Sequence, residues 1–285
     1  MNSKFEGLPL VSVGMPIRNG CPYLASAMND ILVQDYPNIE IIVSDNCSDD
    51  DTPELLSILS AKDSRIRIKR QPRLLTAFDN FGWVLGQASG KYFLWAAHDD
   101  LRPANYISSL VRHLEDNSEA VLAFGAVRVS PVFGGEYVRK QFRFENIGLN
   151  PYARMRKAAH QQCYHIYGVW PVSALKTIPF IFNPWWPDLP LMIAAAALGE
   201  FHQVPGIDFD YLEISKTNLQ RAQYQDNSRG ICRICRAFKL FVATFSTVRR
   251  NSGVAAALFA TGFVVEKQFR VAWDLLTGRI QRGQR

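Results

Sequence analysis

The chain has 285 residues, of which 48% are hydrophobic and 20% charged, and a net charge of +6. That composition excludes a disordered or low-complexity protein, and the length suits one large core or one domain with an appendage. The positive surplus is uneven. From Asn227 to Arg285 there are eleven Lys or Arg against two acids, Glu266 and Asp274, a balance that points to an anionic partner, either a membrane or a nucleic acid.

Leu8 to Met15 is a short apolar run that ends in Gly14-Met15-Pro16, which predicts a buried strand stopping at a turn marked by Pro. Arg18-Asn19-Gly20 continues the loop, and Tyr23 to Val33 has helical spacing. Ile39 to Val43 is a continuous β-branched run, expected of a parallel strand covered on both faces. It leads into Ser44-Asp45-Asn46 and a Ser/Asp-rich segment with cap chemistry before a helix from Glu54 to Ala61. Arg65 to Lys69 alternates strictly and predicts a half-exposed third strand. A helix over Phe78 to Ala88, closed by Gly90, precedes a fourth strand over Tyr92 to Ala97. Ala104 to Glu115 is again helical and Ala120 to Val129 a strand. This alternation implies an α/β fold with a mostly parallel central sheet and helices on both faces.

The second half is less regular. A short helix is expected over Asn150 to Ala159, an aromatic strand or loop over Gln161 to Trp170, and an apolar helix over Leu191 to Leu198. Phe201 to Phe209 reads as a returning strand, and two long helices are expected over Gly230 to Val248 and Gly253 to Leu276. The apolar stretch Val254 to Val265 is shorter than the roughly 17–25 residues that span a bilayer. Five scattered cysteines and a start without signal-peptide character read as a cytoplasmic chain with reduced thiols. Cys232-Arg-Ile-Cys235 has redox or zinc spacing without a second pair or a thioredoxin-like context.

Three polar loops fall at the carboxyl ends of predicted parallel strands: Met15-Pro16-Ile17-Arg18-Asn19, Ser44-Asp45-Asn46 and His98-Asp99-Asp100. Ligands of open α/β sheets bind there. Neither a dinucleotide fingerprint nor a P-loop is present. Paired carboxylates after a buried strand suit Mg²⁺ or Mn²⁺, which one or two carboxylates hold together with substrate phosphates. The alternative is an Asp N-cap before Pro103. Asp45 can accept a hydrogen bond from a pyrimidine N3–H, or it can cap the next helix, a task that Ser48 or Asp49 can also perform.

Val11-Ser-Val-Gly-Met-Pro-Ile-Arg-Asn19, Ile42-Val-Ser-Asp-Asn-Cys-Ser-Asp49 and Gly90-Lys-Tyr-Phe-Leu-Trp-Ala-Ala-His-Asp-Asp100 together resemble the three signatures of family 2 glycosyltransferases. They occur in the family's order and spacing. The resemblance covers Leu8 to Asn218 and is greatest to bacterial members that build surface polysaccharides. It implies the GT-A fold and inverting transfer of a sugar from a UDP, dTDP or GDP donor to a saccharide or lipid-linked acceptor. Its implied domains are a GT-A domain over 1–225 and a basic helical extension over 226–285. Within the first, 8–130 would bind the nucleotide sugar and 131–225 the acceptor.

By position, the resemblance implies that Pro16, Arg18, Asp45, Asn80 and Asp99 bind the nucleotide sugar. Asp99 and Asp100 would hold a divalent cation, Mg or Mn, and Asp188 would be the catalytic base. Trp185 and Trp186 would stack on the acceptor sugar, the alternative being core packing. Asp188 can instead cap the following helix.

The sequence departs from the family pattern in three places. The first Asp of Asp-x-Asp falls on Ala97, the Asn-x-Gly before the nucleotide-side helix on Leu74-Leu75-Thr76, and a basic pair on Tyr211-Leu212-Glu213. Arg18 or Lys216 would then have to stabilise the diphosphate. A sugar-nucleotide-forming nucleotidyltransferase and a non-catalytic homologue that binds membrane or nucleic acid are the alternatives to be weighed. Nucleic acid is not the expected partner.

Arg233, Arg236 and Lys239 recur beside Ile231, Ile234, Phe238 and Phe241. A basic amphipathic helix over 230–250 can lie on an anionic membrane, making the protein peripheral on the inner face. Alternatively, the same helix packs its apolar side on the catalytic domain.

Overall fold

The computed structural model describes residues 7–21, 23–131, 140–160, 163–178 and 188–213, with Val248, Arg249 and Gly262. Apart from Val248, Arg249 and Gly262, the expected C-terminal helices and the basic segment 230–250 lie outside the described residues, as do Lys216 and Trp185-Trp186.

Alternation of strand and helix holds through the first half. The elements are β1 (Val11–Ile17), α1 (Leu24–Leu32), β2 (Ile39–Asp45), α2 (Thr52–Lys62), β3 (Ile66–Arg70), α3 (Ala77–Gly86), β4 (Tyr92–Trp95), α4 (Tyr106–Asp116) and β5 (Ala120–Pro131). They are followed by β6 (Lys140–Phe142), α5 (Pro151–Ala159), a 3₁₀ turn over Tyr164–Tyr167, β7 (Trp170–Pro171), α6 (Val172–Leu175), α7 (Leu189–Leu198) and β8 (Glu200–Glu213). The main sheet has the order β3-β2-β1-β4-β7, and β6-β5-β8 form a smaller one. The first four strands run parallel, and β7 joins β4 antiparallel.

Alternate residues of the central strands divide between two faces. Val11, Val13, Met15 and Ile17 of β1 join Ile39, Ile41 and Val43 of β2 in one buried cluster. Leu24, Met28 and Ile31 of α1, Leu56 of α2, and Ile107, Leu110, Val111 and Leu114 of α4 complete it. On the opposite face β1 offers Gly14, because Phe93 and Val84 occupy the space: a Cβ there would come within 2.5 Å of Phe93 Cζ. Trp95 fills the same side edge-on to Phe93 and Trp170, and its indole N–H is bonded to the carbonyl of Phe81 in α3. Helices therefore cover both faces.

Local chemistry sets several boundaries. Thr76 caps α3, its hydroxyl accepting the Asp79 N–H at 3.0 Å, and Asn150 caps α5 ahead of Pro151 in the same manner. The first strand does not stop at Pro16 but runs through it to Ile17. There β1 pairs only with β2, since β4 ends opposite Gly14, so a residue without an N–H loses no bond on the open side. Gly90 does not close α3, which ends at Gly86; its Cα lies against β1, where a Cβ would meet the Leu10 carbonyl at 2.5 Å.

The chain divides into two compact units, one of residues 1–145, 164–176 and 201–215, the other of 146–163, 177–200 and 216–285. In the second, α5 packs on α7, and Arg154 donates to the carbonyls of Leu149 and Ala196, each at 2.8 Å. Helix α7 is buried on every side from Leu189 to Ala197, as its uniformly apolar sequence requires. No described helix is long and apolar enough to cross a membrane.

Candidate active site

The order β3-β2-β1-β4 places a topological switch beside β1: the chain winds from β1 towards β3, then crosses back to β4 on the other side. Such a reversal opens a crevice at the carboxyl ends of the strands. The three polar loops converge there. The β1 loop is stitched to the β2 loop by Asn19, whose backbone N–H donates to Ser48 Oγ at 2.9 Å. Its side-chain amide donates to Asp49 Oδ1 at 2.6 Å and accepts the Asp49 N–H at 3.0 Å. Asn19 adopts φ of 52°, a left-handed conformation that Asn tolerates best among non-glycine residues. On the other side, a Cβ at Gly20 would come within 3.5 Å of His98 Cδ2, so the β1 and β4 loops are in contact.

Asp45 ends β2 with 1% exposure and stands opposite Ile17 on one side and Arg70 on the other. Its Oδ1 accepts the Ser48 N–H at 3.0 Å, so the carboxylate caps its own turn. It is Asp50 rather than Asp45, Ser48 or Asp49 that accepts the Thr52 N–H at the start of α2. Asp45 Oδ2 is buried and has no hydrogen bond among the described residues. The nearest cation is Arg70 Nε at 3.6 Å, on a side chain that is 58% exposed. Sequence reading ended the third strand at Lys69, one residue short of Arg70; the signal that would have found it is the parallel register with β2.

Asn80 lies beside the carboxyl end of β2. It is buried in α3, with Oδ1 accepting from Ser44 Oγ at 2.5 Å and Nδ2 donating to the Ser44 carbonyl at 3.1 Å. Gln71 Nε2 donates to the same hydroxyl at 2.7 Å, while the Gln71 N–H binds the Asp45 carbonyl at 2.8 Å. Asn80 thus braces the residue before Asp45. Asn46 clasps the backbone of Leu75, donating to its carbonyl and accepting its N–H, and so anchors the loop before α3. Pro16 is buried in β1 opposite Ser44. Arg18 is half-buried, and its Nε has no hydrogen bond among the described residues.

The two acids after β4 separate. Asp99 is partly exposed, and among the described residues nothing bonds its carboxylate. Asp100 is fully buried, 4.0 Å from the equally buried guanidinium of Arg102. Its neighbour Leu101 is paired in both directions with Asp210 of β8, at 3.0 Å. Neither acid caps α4, whose N-cap is Asn105. Among the described residues no group of three or more His, Cys, Asp or Glu could enclose a metal ion. A cation that fits here is one shared between Asp99 and phosphate oxygens, the usual setting for Mg²⁺.

Asp188 belongs to the second unit. It holds the N-cap position of α7, its carbonyl accepting the Met192 N–H, but its side chain makes no capping bond. Desolvation pushes its carboxyl up to about 6, although the residue keeps partial solvent access.

Residues 12–175 match the family described as glycosyl transferase family 2. The chain belongs to that family. Relatives include an uncharacterized glycosyltransferase of Haemophilus influenzae, 35% identical over 121 residues, and glycosyltransferase GlyG of Streptococcus pneumoniae, 31% identical over 113. The matches cover 42% and 40% of this chain, and only 37% and 38% of those relatives' lengths. Among solved structures, S. aureus TarS in complex with UDP-GlcNAc superposes with a TM-score of 0.64 at 14% identity, covering 90% of this chain and 71% of that one. Mannosyltransferase PcManGT from Pyrobaculum calidifontis, in complex with GDP-Man and Mn²⁺, gives 0.54 at 17%, covering 94% and 81%. The family fold is thus the GT-A arrangement of a mostly parallel sheet flanked by helices.

Proposed function

We propose that this chain is an inverting glycosyltransferase that takes a sugar from a nucleoside diphosphate to a saccharide or lipid-linked acceptor in the synthesis of a cell-surface polysaccharide. The observation that carries the reading is the pair of carboxylates at the carboxyl ends of the strands flanking β1: Asp45, whose buried Oδ2 faces Arg70 at 3.6 Å but accepts no hydrogen bond among the described residues, and the partly exposed Asp99 in the loop after β4. A buried acceptor without a donor suits a base N–H, because leaving it unpaired costs roughly 1–3 kcal/mol. Asp45 would receive the base, and Arg18, with an unspent Nε, would reach towards the diphosphate.

Asp99 would share Mg²⁺ or Mn²⁺ with the diphosphate, and the cation would neutralise charge on the leaving group. Asp188 would take the proton from the acceptor hydroxyl as its oxygen bonds to the anomeric carbon and the bond from that carbon to the diphosphate breaks. Two observations support this role: its carboxylate is not spent on capping, and burial holds its ionisation near 6, close to working pH. Trp185 and Trp186 would provide stacking faces for the acceptor. The basic segment 230–250 would keep the enzyme at an anionic membrane where a lipid-linked acceptor resides.

The test is release of nucleoside diphosphate from a panel of UDP-, dTDP- and GDP-sugars, with and without Mn²⁺, in the wild type and in Asp99→Ala. One donor is expected to stand out, and Asp99→Ala should lose its Mn²⁺-dependent turnover while keeping its fold by circular dichroism. No turnover of any donor by the wild type, with a range of saccharide acceptors, would count against the reading.

A further inference from the structure

The guanidinium of Arg102 is completely withdrawn from solvent. Its Nη2 donates to the carbonyl of Trp95, the last residue of β4, at 3.3 Å, and lies 4.0 Å from Asp100 Oδ2. The guanidinium carbon is 4.9 Å from the centroid of the Phe209 ring on β8, and the Arg102 backbone N–H donates to Asp30 of α1 at 3.4 Å. Nε and Nη1 are buried without a hydrogen bond among the described residues.

Stability is a weak reason for such an arrangement. A buried ion pair whose donors are incompletely used is often no better than well-packed apolar residues of similar volume. What the contacts have in common is their target. Arg102 grips the strand before the turn, the acid inside it, the β8 strand beside it and the α1 helix behind it. Leu101, between the two charged residues, is locked to Asp210, whose side chain is held in a fork by Arg128 at 2.6 and 2.8 Å. Of the residues from Asp99 to Arg102, only Asp99 keeps an unengaged carboxylate. Ala97 supplies no second carboxylate. With one carboxylate in place of two, the direction in which Asp99 points depends on how firmly its turn is held.

We infer that Arg102, acting through Asp100, is a positioning residue that presets the Asp99 carboxylate for a divalent cation and diphosphate. The inference rests on the metal-binding role proposed above for Asp99. A catalytic group that is a fraction of an ångström loose loses much of its effect, and buried neighbours of this kind supply the stiffness.

The experiment is calorimetry of UDP, dTDP and GDP binding to the full chain, with and without Mn²⁺. It compares wild type, Arg102→Met, Arg102→Lys and the double variant Asp100→Asn/Arg102→Met. The double variant removes both buried charges together, so neither is left uncompensated. Its metal-free affinity for the preferred nucleotide is expected to equal wild type, because Asp45 is untouched, while the gain in affinity from Mn²⁺ falls at least tenfold. Arg102→Lys, which keeps the charge and loses the planar fork, should fall in the same direction. A folded double variant that retains the wild-type gain from Mn²⁺ overturns the inference, reducing the pair to packing. Should the double variant not fold, an unchanged Mn²⁺ gain in Arg102→Lys overturns it equally. If the wild type shows no gain from Mn²⁺, the role of Asp99 fails first and takes the inference with it, a result distinct from a wild-type gain that the variants preserve.

Discussion

Asp188 stands at a cap position and is the base proposed above, and the two roles predict different ionisation. A capping carboxylate accepts backbone N–H bonds that favour its charged form, which lowers its pKa. Asp188 makes none, and burial raises it from 3.8 to about 6. Two consequences follow with opposite signs. As a base the group must be ionised, so turnover is expected to fall as pH drops through about 6, well above the usual carboxylate range. As a contributor to stability, a raised carboxyl favours the fold fully below pH 3.8, and that contribution is lost as pH rises through about 6. Asp188→Asn should therefore cost roughly 10²–10⁴-fold in turnover and leave donor affinity unchanged. It should also raise the thermal midpoint at pH 7.5, with the advantage vanishing near pH 4. Near wild-type turnover in that variant would leave the base unidentified, since Asn caps as well as Asp.

Among elements, the bracing of Asp45 is the arrangement that sequence reading could not supply. Periodicity located nearly every described strand and helix of the first half to within a few residues, because β1, β2 and β4 are largely apolar, β3 alternates, and apolar residues recur at helical spacing in the helices. Asn80 was legible only as a polar residue in a helix. Its role depends on α3 passing over the end of β2, which brings Ser44, Gln71 and Asn80 together from three segments. For the same reason Asp99 and Asp100 look equivalent in sequence, and only the Leu101 bridge to distant Asp210 turns one outward and the other inward. The burial of Arg102 likewise involves Phe209 of β8, far away in the chain. In physical terms, runs and caps are local, whereas the partners of these polar side chains lie up to more than a hundred residues away. Asn80→Ala leaves the Ser44 carbonyl and hydroxyl underpaired in a buried site, at a cost of about 1–3 kcal/mol. Chemical denaturation should show that loss. Nucleotide affinity should fall with it, since Gln71 and Ser44 hold the backbone on either side of the Asp45 carboxylate. A variant with wild-type stability and weakened binding would instead make Asn80 a direct contact.

At the scale of the whole molecule, the uneven distribution of charge is what the proposed membrane association rests on. Several described acids before residue 214 are paired with particular partners: Glu40 with Ser12, Ser89 and Arg67, Glu115 with Lys91 and Tyr92, and Asp210 with Arg128. The surplus of positive charge is carried instead by the last sixty or so residues, beyond the family match that ends at residue 175. Each Lys or Arg near an anionic surface contributes about 1 kcal/mol, so three of them shift binding by about two orders of magnitude. Replacing Arg233, Arg236 and Lys239 together by Gln in the full chain is expected to weaken binding to phosphatidylserine vesicles by about that factor at low salt. The difference should shrink as ionic strength shortens the Debye length. Turnover with a soluble saccharide acceptor should be unaffected, whereas turnover with a lipid-linked acceptor presented in vesicles should fall in parallel with binding. If the basic segment serves only to cover the rest of the chain, the substitutions would leave vesicle binding unchanged at every salt concentration. The membrane assignment would then be lost while the glycosyltransferase reading stood.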